Sequence, residues 1–200
     1  MNDLVKQSLG EFGKHLAMRP QGRKVQEALD STLRKLAPGS VLLVDFSGVE
    51  MMDYSFADEA LGTLYSRMAA KEYPDRYIVL KVDDDDLGEA LIENIEVALN
   101  RREVAALVLP VDKLDSAATQ ADGKPPWKII GRLPEHLVDT LRAVMEKDQA
   151  TVRDLVEALE LESATACNNR IAKLYQLHLV RRTTAIVPEG GRQYCYSSII

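Results

Sequence analysis

The residues with the clearest chemical use lie near the end of the chain. From Ser163 to Ile200 there are five bases (Arg170, Lys173, Arg181, Arg182 and Arg192) and one acid, Glu189, a net of +4. Thr165, Asn169, Lys173 and Gln176 recur every three to four residues, which at about 100° per residue sets them along one ridge of a helix. Their chemistry suits a DNA groove. Asn and Gln can pair bidentately with adenine, Thr can touch the thymine methyl, and Lys can neutralise phosphate. Arg170 flanks that ridge within reach of phosphate. Arg181 and Arg182, leaving the helix, and Arg192, past the following turn, suit backbone or minor-groove contact. A polar, mildly basic helix face can equally be plain solvated surface or a protein-docking surface, so both readings stay open.

Ser55 is the second residue singled out. The segment Val41 to Leu64 is an apolar run that breaks at Asp45, turns at Ser47-Gly48 and restarts as an amphipathic pattern. Ser55 with Asp58 three residues on reads as a helix start, with the Ser55 hydroxyl as N-cap. Ala60, Leu61, Leu64 and Met68 follow at helical spacing.

Other groupings argue against catalysis or metal binding. His15, His136 and His178 are scattered, with no Cys or carboxylate at ligand spacing. Asp83 to Asp86 could attract a divalent cation, but an acidic run before a helix also reads as a solvated loop with an Asp cap. No Gly-rich phosphate loop, His-Glu-x-x-His or Gly-x-Ser-x-Gly is present. Cys167 and Cys195 fit packing positions and are too few for a disulfide framework. The expectation is a non-enzyme without metal or cofactor. A formal charge of -6 excludes indiscriminate nucleic-acid binding, so any DNA contact must be local. With no apolar run near the roughly 20 residues that span a bilayer, no membrane association and a cytoplasmic location are expected.

These residues need elements to position them. Val25, Leu29, Leu33 and Leu36 mark a helix ending near Pro38-Gly39, after a strand or two between Leu4 and Met18. Val41 to Val44 are apolar without alternation, as in a strand covered on both faces, Tyr77 to Val82 (YIVLKV) reads as a second buried strand and Ala105 to Leu109 as a third. A helix with Leu87, Leu91, Ile95 and Leu99 on one stripe lies between the last two. Strands separated by helices imply a sheet with substantial parallel pairing. Residues 112–126 are small and polar, a linker composition, and Trp127 to Ile130 either adds a strand or packs on a neighbour. Three helices follow: one from Pro134 with Leu137, Leu141 and Met145; one capped by Thr151; one capped by Ser163 and burying Ala164, Cys167, Ile171 and Leu174. Two strands around residues 188–191 close the chain. Residues 131–162 carry four bases and eight acids, a net of -4, so the last part alone is basic.

The Val41 to Leu64 segment, with Asp-Tyr-Ser-Phe-Ala-Asp at 53–58, resembles the signature of STAS domains, the fold of anti-sigma-factor antagonists, over about Gly22 to Leu109. The helix order, the third helix SATACNNRIAKLYQLHLVRR and the Gly190-Gly191 turn resemble winged helix-turn-helix modules of the MarR and ArsR kind over roughly Leu133 to Ile199. Together they imply an α/β STAS-like domain at residues 1–111, a linker at 112–130 and an α+β winged helix-turn-helix domain at 131–200. In STAS antagonists the motif is typically Asp-Ser-Ser-Gly with its second Ser phosphorylated by a partner kinase. That position corresponds to Ser55, while Tyr54 and Phe56 depart from the pattern. The resemblances imply a bacterial-type transcriptional regulator that binds double-stranded DNA as a homo-oligomer and takes a protein partner at the STAS-like domain. The competing expectation is an adaptor that binds proteins and no DNA.

Overall fold

Four parallel strands carry the first of two units into which the chain divides between Leu133 and Pro134. The computed structural model describes residues 4–110, 127–186 and 192–200. β1 (Leu4–Ser8), β3 (Val41–Asp45), β5 (Tyr77–Val82) and β6 (Ala105–Pro110) run the same way in the order β1-β3-β5-β6. β7 (Lys128–Gly131) closes the far edge antiparallel to β6, with Leu107 opposite Ile129. Every residue of β3 is buried, which explains its unbroken apolar run. α1 (Arg19–Lys35) and α4 (Asp86–Arg101) make crossovers between neighbouring parallel strands, and right-handed connections in one direction place them on the same face.

A third crossover is one continuous helix of mixed pitch. α2 (Tyr54–Ala57) passes through a π-helical stretch, Asp58–Gly62, into α3 (Thr63–Ala69). Phe56, Ala57, Ala60, Leu61 and Leu64 are fully buried along it. At Gly62 a Cβ would stand 2.8 Å from Arg102 Nε, so the glycine makes room for that guanidinium. Just before this helix, β2 (His15–Leu16) and β4 (Met51–Met52) form a two-stranded parallel ribbon. Leu87, expected on the inner stripe of α4, is exposed. The stripe is Leu91, Ile92, Ile95, Ala98 and Leu99.

The expected linker at 112–130 is shorter at its far end. Lys128–Gly131 pairs antiparallel with β6, with Ile130 buried and Lys128, at the start of the strand, exposed. Residues 112–126 lie outside the described residues.

The second unit is built from α5 (Glu135–Met145), β8 (Ala150–Thr151), α6 (Val152–Ala158), α7 (Ala164–Gln176), β9 (Arg181–Ile186) and β10 (Arg192–Ser197). Its antiparallel sheet has the order β8-β10-β9. Thr151 caps α6 in a reciprocal box with Asp154, and the Ser163 hydroxyl accepts from Ala166 N–H at the start of α7. Leu141, Val144, Leu155, Cys167, Ile171 and Leu174 are fully buried, each large aliphatic side chain contributing about 1.5–3 kcal/mol. Ala164, expected in that stripe, is exposed: it is the first residue of α7, ahead of the first inward turn. β8 has no apolar run to announce it, and the Gly190-Gly191 turn lies outside the described residues.

Candidate functional site

Cys167, Ile171 and Leu174 turn one face of α7 inward, which leaves the opposite ridge to solvent. Thr165, Asn169 and Lys173 are exposed on it, and Gln176 and Arg170 are half-buried. Asn168 and Ala172 are also exposed there, a part of the ridge that four-residue spacing passes over. Burial pushes the Cys167 thiol up, despite Arg170 nearby, and its Sγ lies 3.7 Å from the Val152 carbonyl, so the side chain is packed in the interior with its thiol form favoured.

The arginines beyond α7 divide into two kinds. Arg181 is half-buried and donates to the Ile199 carbonyl at 3.0 Å, which ties down the end of the chain. Arg182 is exposed, with its guanidinium carbon 4.2 Å from the Tyr175 ring centre and 4.4 Å from that of Tyr194. Arg192 is exposed opposite Ile186, itself 83% exposed.

Among the described residues, Arg170, Lys173, Arg182 and Arg192 form no ion pair. Most arginines of the first unit contrast with them. Arg102 holds Asp58 at 2.8 Å, Arg19 reaches both Asp58 (3.2 Å) and Glu59 (3.1 Å), Arg23 holds Glu59, and Arg34 and Arg67 share Asp30. Burial opposes ionisation of Asp58, but the hydrogen bond and charge of Arg102, helped by Arg19, hold its carboxyl below the ordinary range. Lys24, Lys35, Lys71, Arg101 and Lys128 of the first unit and Lys147 and Arg153 of the second likewise form no ion pair among the described residues, but α7, β9 and β10 carry their cations with no Asp or Glu on the same elements, so an anion meets little local competition there.

At the second site Asp53 is the helix cap, and the expected capping role of Ser55 is overturned. Asp53 Oδ1 accepts from Phe56 N–H at 2.7 Å and Oδ2 from Met18 N–H at 2.9 Å. Two residues earlier than the Ser-x-x-Asp pattern suggests, the chain has already entered the helix, which places Ser55 in its first turn, half-exposed. Phe56 is fully buried and so does not obstruct the approach to Ser55. Met18 and Met51, at the ribbon beside this helix start, are 66% and 44% exposed.

Two further carboxylates are engaged by the fold itself. Asp85 Oδ1 accepts from Gly88 N–H at 2.8 Å and caps α4. It borders a cavity of about 110 Å³ with Phe46, Glu50, Asp83 and Leu91. Among the described residues no three His, Cys, Asp or Glu side chains gather as metal ligands. Asp45, at the end of β3, is 1% exposed. It takes Lys6 at 2.5 Å, Lys81 at 3.6 Å, and the Ser47 hydroxyl and N–H at 2.7 and 3.0 Å. Burial alone would raise its pKa, but the bonds from Lys6 and Ser47, with the charge of Lys81, pull it down to about 2.

No described helix is long and apolar enough to cross a membrane. No curated protein matches the chain. Among solved structures, the ORC1 protein of Aeropyrum pernix in complex with DNA aligns over 98% of this chain and 75% of that one, at 12% identity and a TM-score of 0.30, too distant to bear on fold or function. Residues 21–86, from within α1 to the first residue of α4, match the model of a STAS-like domain of unknown function (DUF4325), and the first unit therefore contains a STAS-like domain.

Proposed function

We propose that the chain is a transcriptional regulator whose second unit is a winged helix that binds double-stranded DNA, with α7 in the major groove and the β9–β10 hairpin as the wing. The observation that carries this reading is the outer ridge of α7. Thr165, Asn168, Asn169 and Lys173 are exposed together, with Gln176 at its end, and the cations around them have no carboxylate partner among the described residues. The helix, strand, helix, helix, hairpin order, with β8 completing a three-stranded sheet, supports it as well. A homodimer would double this basic surface and offset the acidic balance of residues 131–162.

Binding of duplex DNA by the full chain should fall steeply with salt. Four phosphate contacts, from Arg170, Lys173, Arg182 and Arg192, give a log–log slope of about -3.6 per module, at roughly 0.9 each. A gel shift over a salt series measures it. No shift at low salt, with a stably co-purified protein, would instead establish the adaptor reading.

The STAS-like domain is proposed to take a protein partner at the start of α2, where Ser55 is the phosphorylation candidate. Half-exposed Ser55, with Met18 and Met51 exposed nearby, supports this placement. Asp58 and Glu59 are already neutralised by arginines, so a phosphate there would be opposed chiefly by Asp53. Ser55→Asp is expected to lose a partner that co-purifies with the wild-type chain from its own cells, while Ser55→Ala retains it. Equal recovery with both variants contradicts the switch.

A further inference from the structure

Arg182 leaves the start of β9 and meets two tyrosines from different elements, Tyr175 in the last turn of α7 and Tyr194 in β10. Thr184 lies directly across from Tyr194 in the hairpin register, so Arg182, Thr184 and Tyr194 share one face of the two strands. With two rings against it the guanidinium loses much of its rotational freedom, yet the residue as a whole is exposed. An ordinary surface arginine surrenders that freedom only when it binds. Here most of the ordering is complete beforehand. No carboxylate among the described residues takes up the Arg182 donors.

We propose that Arg182, oriented by Tyr175 and Tyr194, is a phosphodiester grip that seizes one backbone phosphate of the bound duplex with two N–H donors. The planar fork matches the two free oxygens of a phosphodiester, which a lysine ammonium cannot reproduce. Its place on the strand, set off from the α7 ridge, makes it an anchor that fixes how the ridge enters the groove and leaves the reading of bases to Asn169 and its neighbours. Tyr175 and Tyr194 are positioning residues, and Thr184, exposed beside them, can donate a hydroxyl to the same backbone.

This grip rests on the DNA reading above, and one set of titrations separates the two. The full chain and its variants are titrated by fluorescence anisotropy against several duplexes of different sequence across a salt series. Arg182→Lys should weaken binding about tenfold on every duplex while the salt slope stays at the wild-type value, because the charge survives and the fork does not. Arg182→Ala should weaken binding further and reduce the slope by about 0.9. Tyr194→Ala should weaken binding about threefold without altering the slope, and Tyr194→Phe, which keeps the ring, should bind as the wild type does. Melting temperatures within a degree or two of wild type establish that these exposed changes leave the fold intact. Wild-type affinity in Arg182→Lys overturns the grip alone. So does a loss confined to one duplex sequence, which would make Arg182 a base reader. A wild-type chain that leaves every duplex unbound at low salt overturns the DNA reading and the grip together.

Discussion

A chain carrying Lys173→Glu together with Arg192→Glu is expected to bind duplex DNA on the order of 100-fold more weakly than the wild type at about 0.1 M salt. Each phosphate contact releases about 0.9 of a counterion, which at that salt is worth a little under tenfold per contact, and reversing the charge adds repulsion. The two residues sit on different elements, α7 and β10, and both are exposed, so neither change opens the core. Surface substitutions of this kind usually alter stability by less than about 0.5 kcal/mol. The salt slope should fall by about 1.8 as two contacts disappear. Lys24→Glu with Lys35→Glu, exposed on α1, changes the net charge equally and is the control. It should cost less than about threefold, since neither residue belongs to the proposed interface and salt screens exposed charges that make no phosphate contact. Equal losses in the two double variants would mean that bulk charge, and no particular surface, governs binding.

How much of this was legible beforehand depends on whether the signal was local. The parallel strands announce themselves, because β3, β5 and β6 are largely apolar without alternation, broken only by Asp45 at the end of β3, Lys81 in β5 and Pro110 at the end of β6, as in a sheet covered on both faces. Caps on α6 and α7 could also be read, since Thr151 and Ser163 bond to amides three residues on. The same rule failed at Ser55 because Asp53, two residues earlier, offers a carboxylate that also serves the Met18 amide from a distant turn. Sequence spacing cannot display that second donor. The π-helical stretch was equally hidden: it places Asp58 between Arg19 and Arg102, residues 39 and 44 positions away, and what it accommodates is known only after folding.

At the candidate interface the helix ridge was visible as a periodicity, and the division of labour among the arginines was not. Arg181 and Arg182 are neighbours in sequence with identical chemistry. Strand alternation sends them to opposite faces, so one ties the chain end at Ile199 and the other meets Tyr175 and Tyr194. A double substitution at both would confuse a fold defect with a binding defect, which is why Arg182 is varied alone. Asn168 escaped for a different reason. Spacing by fours follows a single line of residues, whereas the exposed surface of α7 is broad enough to take in its neighbours as well.

Removing the Asp45 carboxylate is expected to produce the largest loss of stability. Asp45→Ala strips Lys81, whose side chain is only 14% exposed, of its counter-charge, and leaves the Ser47 N–H without its acceptor. Breaking a buried pair from one side costs about 3–5 kcal/mol, more than the pair contributes against an apolar substitute. The pH dependence isolates the carboxylate itself. Its folded pKa of about 2 lies below the ordinary 3.8, so its stabilisation is fully present above the unfolded value and disappears as the pH falls through the folded one. That difference amounts to about 2 kcal/mol. Asp45→Asn keeps the shape and an acceptor for Ser47, and should therefore be less stable than wild type near pH 7 by roughly that amount. The gap should then close between about pH 4 and pH 2. Trp127, the one tryptophan of the chain, lies next to β7 in the same unit and reports its unfolding by urea through fluorescence. A gap that stays constant down to pH 2 would show that the charge of Asp45 is not what the fold relies on at the end of β3.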